Sequence, residues 1–553
     1  MSIASFVHHA FLIFEPVGDC GFESTGENAR GARVPPGGAG APAHAAGTIL
    51  SLLFAAFLFG SDGVSANPVQ TPENADARLS QGLVFLRSRD FQRAREEFKA
   101  AIQANPALAQ AHLYLGVVEN QLGSLTAAIS HLREALRLDS TSEAVRYNLG
   151  LALLRVGNSD EAAVHFQEAV ERNPALTDAR YNLGILLSES GRFHEAIPHL
   201  EAARKGKPGD FAGLIHLARA YLGDKQSVKV VELLSPMRRQ RVWQVHYLLG
   251  LAFIDSGKTE LALPELREAV RLKADDASVH YTLGSLLLRS KERSDQNTGA
   301  KHVEKAIDLA PNEPDYYITL GRWLIEQEDF IRAVPLLRRA VEKVPPSIDL
   351  YLMLGLAEAQ VHGAEVARPF IERAVAMNPK IAPALNLLGN CYFRLGSYGE
   401  AANWYRKAVE LNPQSDKYHY DLGLALERHN RPDEALPFVE KAIQIKPGHS
   451  GAHYLLGKLH LSFGRLAEAV KEFEICARLE PEPEFAYYQL ARAHMRLGDA
   501  GRAQEWNAKL NEVKAAKDKR VGLAPPESAT SNLLESVQPW EPQAGGASSK
   551  PSR

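Results

Sequence analysis

Between Ala384 and Pro413 the chain reads ALNLLGNCYFRLGSYGEAANWYRKAVELNP. Leu385, Leu388, Tyr392 and Leu395 fall at i, i+3, i+7 and i+10, one apolar stripe that predicts a helix. Gly396 follows, and glycine accepts the left-handed conformation that ends a helix at no steric cost. A second helix is predicted through Ala401, Tyr405 and Ala408. Asn412 suits a left-handed stop there, and Pro413 prevents continuation. Small side chains at Gly389, Ala401 and Ala408 let the two axes approach to about 8 Å. Asn105-Pro106, Asn173-Pro174 and Asn378-Pro379 repeat the closing device.

The same shape returns every 34 residues: Leu388-Gly389 recurs as Leu354-Gly355, Leu422-Gly423 and Leu456-Gly457. The register mark is a small residue at Gly82, Gly116, Gly150, Gly184, Ala218, Gly250, Gly284, Gly321, Gly355, Gly389, Gly423, Gly457 and Ala491. Its spacing is 34 four times, then 32, 34 and 37, then 34 five times, which gives 13 repeats from Ala75 to Lys517. A lone helix pair cannot bury its apolar faces, so each repeat needs its neighbours. A 34-residue period with this Leu-Gly, Ala, aromatic or Leu, Ala, Pro pattern resembles the tetratricopeptide repeat. The resemblance implies an all-α, right-handed superhelical solenoid of 13 helix-turn-helix repeats. It also implies that the first helices line a concave groove.

Two repeats depart from the pattern. In repeat 5, Gly223 arrives two residues early and the following stretch, SVKVVELLSPMRRQRV, has β-branched valines where alanine is usual. Pro236 and the basic group Arg238, Arg239 and Arg241 close it. Repeat 7 has three extra residues in a polar turn, Ser290 to Asn297. Both read as bends dividing the array into repeats 1–4, 5–7 and 8–13. Repeat 13 has Asn507 where the others have a large apolar residue, and a lysine-rich second helix, Gly501 to Arg520. A solvated outer face is what a terminal repeat requires.

Residues 1–66 form an N-terminal extension with no repeat, 67–74 a linker, 75–517 the array and 518–553 a Pro/Ser/Gly-rich tail expected to be disordered. In the extension, the apolar run Thr48–Phe59 follows Arg30 and Arg33 and precedes Val64-Ser65-Ala66. That order reads as a secretory signal cleaved after Ala66, with translation starting downstream of Met1. The protein is therefore expected to be exported, to the periplasm or beyond. The alternative is a cytoplasmic binding subunit that recruits substrates to a separately encoded enzyme such as a glycosyltransferase. In the tail, Leu533, Leu534, Val537 and Trp540 form a short apolar group.

A formal charge of −3 over 553 residues weighs against nucleic acid, which favours a clearly basic face. Cys20, Cys391 and Cys476 are the only cysteines, and the last two sit at packing positions with a whole repeat between them. They read as structural thiols. No metalloprotease, nucleophile-elbow, phosphate-loop or dinucleotide motif occurs. His112, His246, His280, His419 and His453 share the fourth position of the first helix; neighbouring helices stand too far apart for a zinc site, so these read as packing residues. Some tetratricopeptide arrays precede a glycosyltransferase domain, but 36 residues after the array are too few for one. The asparagine ladder of those arrays is present only at Asn148 and Asn182. The expectation is a non-catalytic scaffold with no cofactor, no metal and no small-molecule substrate. Its partner would be a protein or peptide, and membrane contact would come only through the N-terminal apolar segment if uncleaved.

The resemblance places the groove on positions 2, 5, 9, 12 and 13 of each repeat. Position 5 is Tyr147, Tyr181, Tyr247, Tyr281, Tyr420, Tyr454 and Tyr488 in seven repeats; position 13 is Arg87, Arg155, Arg289, Arg394, Arg428 and Arg496 in six. Tyr and Arg are enriched in binding hot spots. The candidate site lies in repeats 10–13: Asn386, Asn390, Phe393, Arg394, Lys417, Tyr420, Arg428, Tyr454, Lys458, Arg492 and Arg496. Chaperone-binding members of the family grip a terminal carboxylate with a Lys/Asn/Asn/Lys/Arg clamp. Asn390 and Lys417 match it, whereas Asn386 and Asp421 depart. Arginine offers carboxylates a two-pronged donor, so the expected ligand is an extended acidic segment.

Overall fold

The structure is a computed structural model that describes residues 75–480 and 483–521. The extension with its apolar run and cleavage motif, the linker, and the tail beyond Val521 lie outside the described residues. The described residues form 26 α-helices and one short 3₁₀ helix, with no strand, as an all-α repeat solenoid. They make two compact bodies, one ending at Val279 and one beginning at His280, so the division falls inside α13 (Ala277–Leu287) of repeat 7.

Repeat 10 shows how the pattern becomes a helix pair. α19 (Ala382–Arg394) packs on α20 (Tyr398–Leu411). A Cβ added at Gly389 would stand 2.5 Å from Cε1 of Tyr405, a side chain only 2% exposed, so the close approach requires the missing side chain. Leu385, Leu388, Ala401 and Ala408 are buried with it. Leu395 is not: it is already the helix C-cap and 39% exposed, so the apolar stripe stops one turn short of its period. Gly396 takes φ 76° and turns the chain into α20. Arg89, Glu328 and Asn430 hold the same left-handed turn at φ 62°, 55° and 60°.

The asparagine stops work differently from the expectation. Asn105, Asn173, Asn378 and Asn412 are extended, with φ between −128° and −150°, and none is left-handed. The following proline excludes the helical region for the residue before it. Each asparagine then uses its side chain: Oδ1 accepts from the N–H two residues on, of Ala107, Ala175, Lys380 and Gln414, at 3.0 to 3.3 Å. That is an Asx turn, and Asp139 makes the same bond to Thr141.

Repeat 5 is irregular in its second helix. Its first helix, α9 (Phe211–Gly223), is regular, but α10 spans only Ser227–Leu234 before a 3₁₀ turn, Ser235–Gln240. Gly223 is the last helical residue and faces the Phe193 ring; the left-handed turn falls on Lys225, at φ 60°. The insertion in repeat 7 is not a long polar turn. It lengthens the second helix, α14 (Arg293–Leu309), to 17 residues against the usual 14. In repeat 13, α25 (Glu484–Arg496) pairs with α26 (Ala500–Val521), so helix continues past the expected end of the array. Ala503 is buried, Asn507 is exposed, and Trp506 stacks on Tyr487 with centroids 5.3 Å apart.

Candidate functional site

At the fourth position of the first helix, six side chains reach a backbone carbonyl, whereas His246 meets Glu265 instead. Nε2 of His112, His419 and His453 faces the carbonyl oxygen of Pro106, Pro413 and Pro447 at 3.2, 3.0 and 3.0 Å. Arg146, Arg180 and Tyr317 donate to the equivalent carbonyls of Ser140, Pro174 and Pro311. A carbonyl only accepts, so each histidine Nε2 carries a proton. In His453, Nδ1 also meets Glu472 Oε2 at 2.6 Å, and that hydrogen bond holds the imidazole pKa above its ordinary value. The common element is a donor reaching six residues back, which histidine, arginine and tyrosine all provide; a search for one residue type misses it. Among the described residues no three His, Cys, Asp or Glu side chains gather as a metal site.

At position 5, Tyr181, Tyr281, Tyr420 and Tyr454 touch the next repeat, whereas Tyr147 packs on Phe166 of its own. Tyr281 packs on Tyr316 at 4.5 Å and shares a 3.0 Å hydrogen bond with Thr319; Tyr420 packs on His449 at 4.7 Å. Tyr454 accepts a hydrogen bond from Gln489. Each partner lies in the next repeat: Tyr316, Thr319 and Gln489 on its first helix, and His449 at that helix's N-cap. Burial pushes the Tyr420 phenol well above its usual range, and the nearby Asp421 carboxylate adds to the shift. Asn148, one of the two ladder residues, donates to Ala144 in its own helix, and Asn182 is buried.

The eleven candidate residues therefore separate. Asn386 is 1% exposed and donates to Asp421 Oδ2 at 2.9 Å; Lys417 pairs with the same carboxylate at 3.3 Å. This network joins α19 to α21 (Asp416–Arg428), and it withdraws Asn386 from any groove. Of the clamp positions, Asn386, Lys417 and Asp421 are engaged with one another across repeats 10 and 11. Asn390 accepts from the Tyr405 hydroxyl at 2.7 Å, and Phe393 lies edge-on to Tyr398. Lys458, on α23 (Ser450–Ser462), pairs with Glu427 at 2.6 Å.

The arginines stay at the surface. Arg394 is exposed, with one hydrogen bond to the Ala359 carbonyl at 3.3 Å. Arg428 is exposed beside Glu427 at 3.4 Å. Arg492 lies 5.5 Å from the Tyr488 ring centroid, and neither it nor Arg496 has a carboxylate partner among the described residues. Cys391 and Cys476 are buried free thiols, and burial raises their pKa to about 11 and about 12, so neither is a ready nucleophile.

Tetratricopeptide repeat models match residues 65–109, 79–143, 147–211, 181–227 and 247–296, and further models of the repeat match 372–430, 426–486 and 485–506. The chain belongs to the tetratricopeptide repeat family. No curated protein matches. Among solved structures, the chain is similar to YrrB, described as a TPR protein with an unusual peptide-binding site, at 23% identity over 34% of this chain and 95% of that one, with a TM-score of 0.31. It is also similar to the Cut9–Hcn1 hetero-tetramer of the APC/C, at 13% identity over 76% and 96% with a TM-score of 0.35. Yeast Tom70 matches at 14% identity over 78% and 98%, with a TM-score of 0.31.

Proposed function

We propose that the protein is a non-catalytic interaction scaffold that holds an extended, acidic protein segment along the first helices of repeats 10–13. The carrying observation is the set of exposed arginines Arg394, Arg428, Arg492 and Arg496, of which, among the described residues, only Arg428 sits beside a carboxylate, that of Glu427. Guanidinium groups on the equivalent helices of repeats 10, 11 and 13 match a ligand with repeated carboxylates better than a single anion. With a net charge of −3, attraction is local to this wall, so affinity should be modest and should fall steeply with salt. The test is titration of the intact protein with extended peptides rich in Asp and Glu, and with Lys-substituted counterparts. Arg394→Glu/Arg428→Glu, checked for equal helicity, should weaken acidic-peptide binding and flatten its salt dependence. Unchanged affinity would remove this wall as the binding surface.

We also propose export, supported by the Thr48–Phe59 run and Val64-Ser65-Ala66. N-terminal sequencing of the mature chain tests it: a start at Asn67 is expected, and an intact chain found in the cytoplasm would overturn it. No helix among the described residues is long and apolar enough to cross a membrane.

A further inference from the structure

Among the described residues no further first helix follows α25, and the face that would meet one is open. Phe485 is 68% exposed, Tyr488 49% and Met495 61%. Tyr488 holds position 5, from which Tyr420 reaches the next repeat at His449. With Arg492 and Arg496 these residues fall at i, i+3, i+7, i+10 and i+11, one side of a helix. The face is apolar and positively charged together.

Its charge argues about what covers it. A second copy presenting the same face would bring arginine pairs together, which is repulsive. The chain itself continues for 32 residues past Val521, and from Gly522 to Ser549 it contains Glu527, Glu535 and Glu541 with no Lys or Arg. Leu533, Leu534, Val537 and Trp540 lie between the last two acids or beside them. Reach is sufficient. α26 runs back along α25 and overshoots its start by about nine residues, or about 13 Å of helix. The twelve residues from Val521 to Leu533 can span about 40 Å.

We propose that residues 531–541 dock on the open face of α25 in the same molecule. Leu533, Leu534, Val537 and Trp540 cover Phe485, Tyr488 and Met495, and Glu535 and Glu541 meet Arg492 and Arg496. The segment closes the end of the array that the missing next repeat leaves bare. This does not rest on peptide binding at Arg394 and Arg428.

The experiment places photoreactive benzoylphenylalanine at position 485 of the full chain and maps the crosslinked peptides by mass spectrometry. A crosslink to residues 531–541 within one molecule is expected, with a yield that dilution does not change. Leu533→Asp/Val537→Asp should abolish it. Arg492→Glu/Arg496→Glu should lower it several-fold, and Glu535→Arg/Glu541→Arg added to that variant should restore it. Crosslinks to α25 of a second copy, yields that rise with concentration, or no product with the tail would each overturn the proposal. So would a charge reversal that leaves the yield unchanged.

Discussion

In repeat 10 the second helix runs for 14 residues, Tyr398–Leu411, whereas in repeat 5 the α-helix stops after eight, at Leu234, and a 3₁₀ turn carries the chain through Gln240. Both repeats have a regular 13-residue first helix. Proline alone does not explain the contrast. Pro198, Pro264, Pro335, Pro369 and Pro437 all sit inside second helices of full length, each at the sixth residue. At that depth proline removes one hydrogen bond just after the first turn, whose N–H groups have no intrahelical partner anyway. Pro236 falls at the tenth residue of its stretch, where bonds on both sides must hold, and the valines before it are weak helix formers. Repeat 5 is fastened differently. Arg238 of the basic group pairs at 2.7 Å with Glu265, which also faces His246 Nδ1 at 2.7 Å, so part of the positive charge serves repeat 6 and is not free for a partner.

The largest expected effect is in repeat 10. Gly389→Leu must displace Tyr405, which is almost wholly buried, and should destabilise by roughly 1–3 kcal/mol through overpacking. Ala218→Leu in repeat 5 should cost less, because a second helix of only eight residues can yield. Chemical unfolding read by circular dichroism, with hydrogen exchange to locate the change, checks both; equal losses would show that repeat 5 is as tightly packed as repeat 10.

The sequence carried the packing core of this comparison because glycine and alanine at close approach have few alternatives. Gly389 against Tyr405, Ala401 and Ala408 were legible from their 34-residue period, and so was the irregularity of repeat 5. Direction of side chains was less so. Asn386, Asn390 and Arg394 share one side of α19, yet exposure rises along it from a buried amide to an exposed guanidinium, because the next helix covers only the beginning. Asn412 looked like a left-handed stop; the rule that mattered was the restriction proline places on its predecessor. The role of position 4 was hidden because its acceptor in six repeats is a backbone carbonyl.

A second prediction addresses the turn. Lys225 occupies a left-handed conformation that Gly396 occupies freely, so Lys225→Gly should stabilise repeat 5 by about 1 kcal/mol. Hydrogen exchange on the intact chain should show residues 211–242 opening before 382–447, and the substitution should narrow the gap. A gap that stays the same would place the weakness wholly in the short helix.

Acid should widen it. Burial lowers the pKa of His216, on α9 and edge-on to Tyr181, from 6.5 to about 4, with a smaller contribution from Arg219. Its neutral form belongs to the folded state. The sign follows: its contribution is fully present above about 6.5, the unfolded value, and is lost as pH falls toward 4. Exchange of residues 211–223 should therefore accelerate between pH 6.5 and 4, beyond the intrinsic change, and His216→Phe should remove the acceleration. An identical pH profile in that variant would assign the effect to other groups.

The smallest effect is expected where function is proposed. Arg394 is exposed and makes a single 3.3 Å bond to the Ala359 carbonyl, an oxygen that water can satisfy equally well. Arg394→Ala should change stability by less than about 0.5 kcal/mol, against the much larger loss at Gly389 five residues earlier on the same helix. The contrast separates a wall built for contact from a core built for packing. Arg394→Ala should also lower affinity for an acidic peptide while leaving affinity for an uncharged one unchanged. If stability falls as much as for Gly389→Leu, the arginine is holding repeats 9 and 10 together through the carbonyl of Ala359 and is not a groove contact.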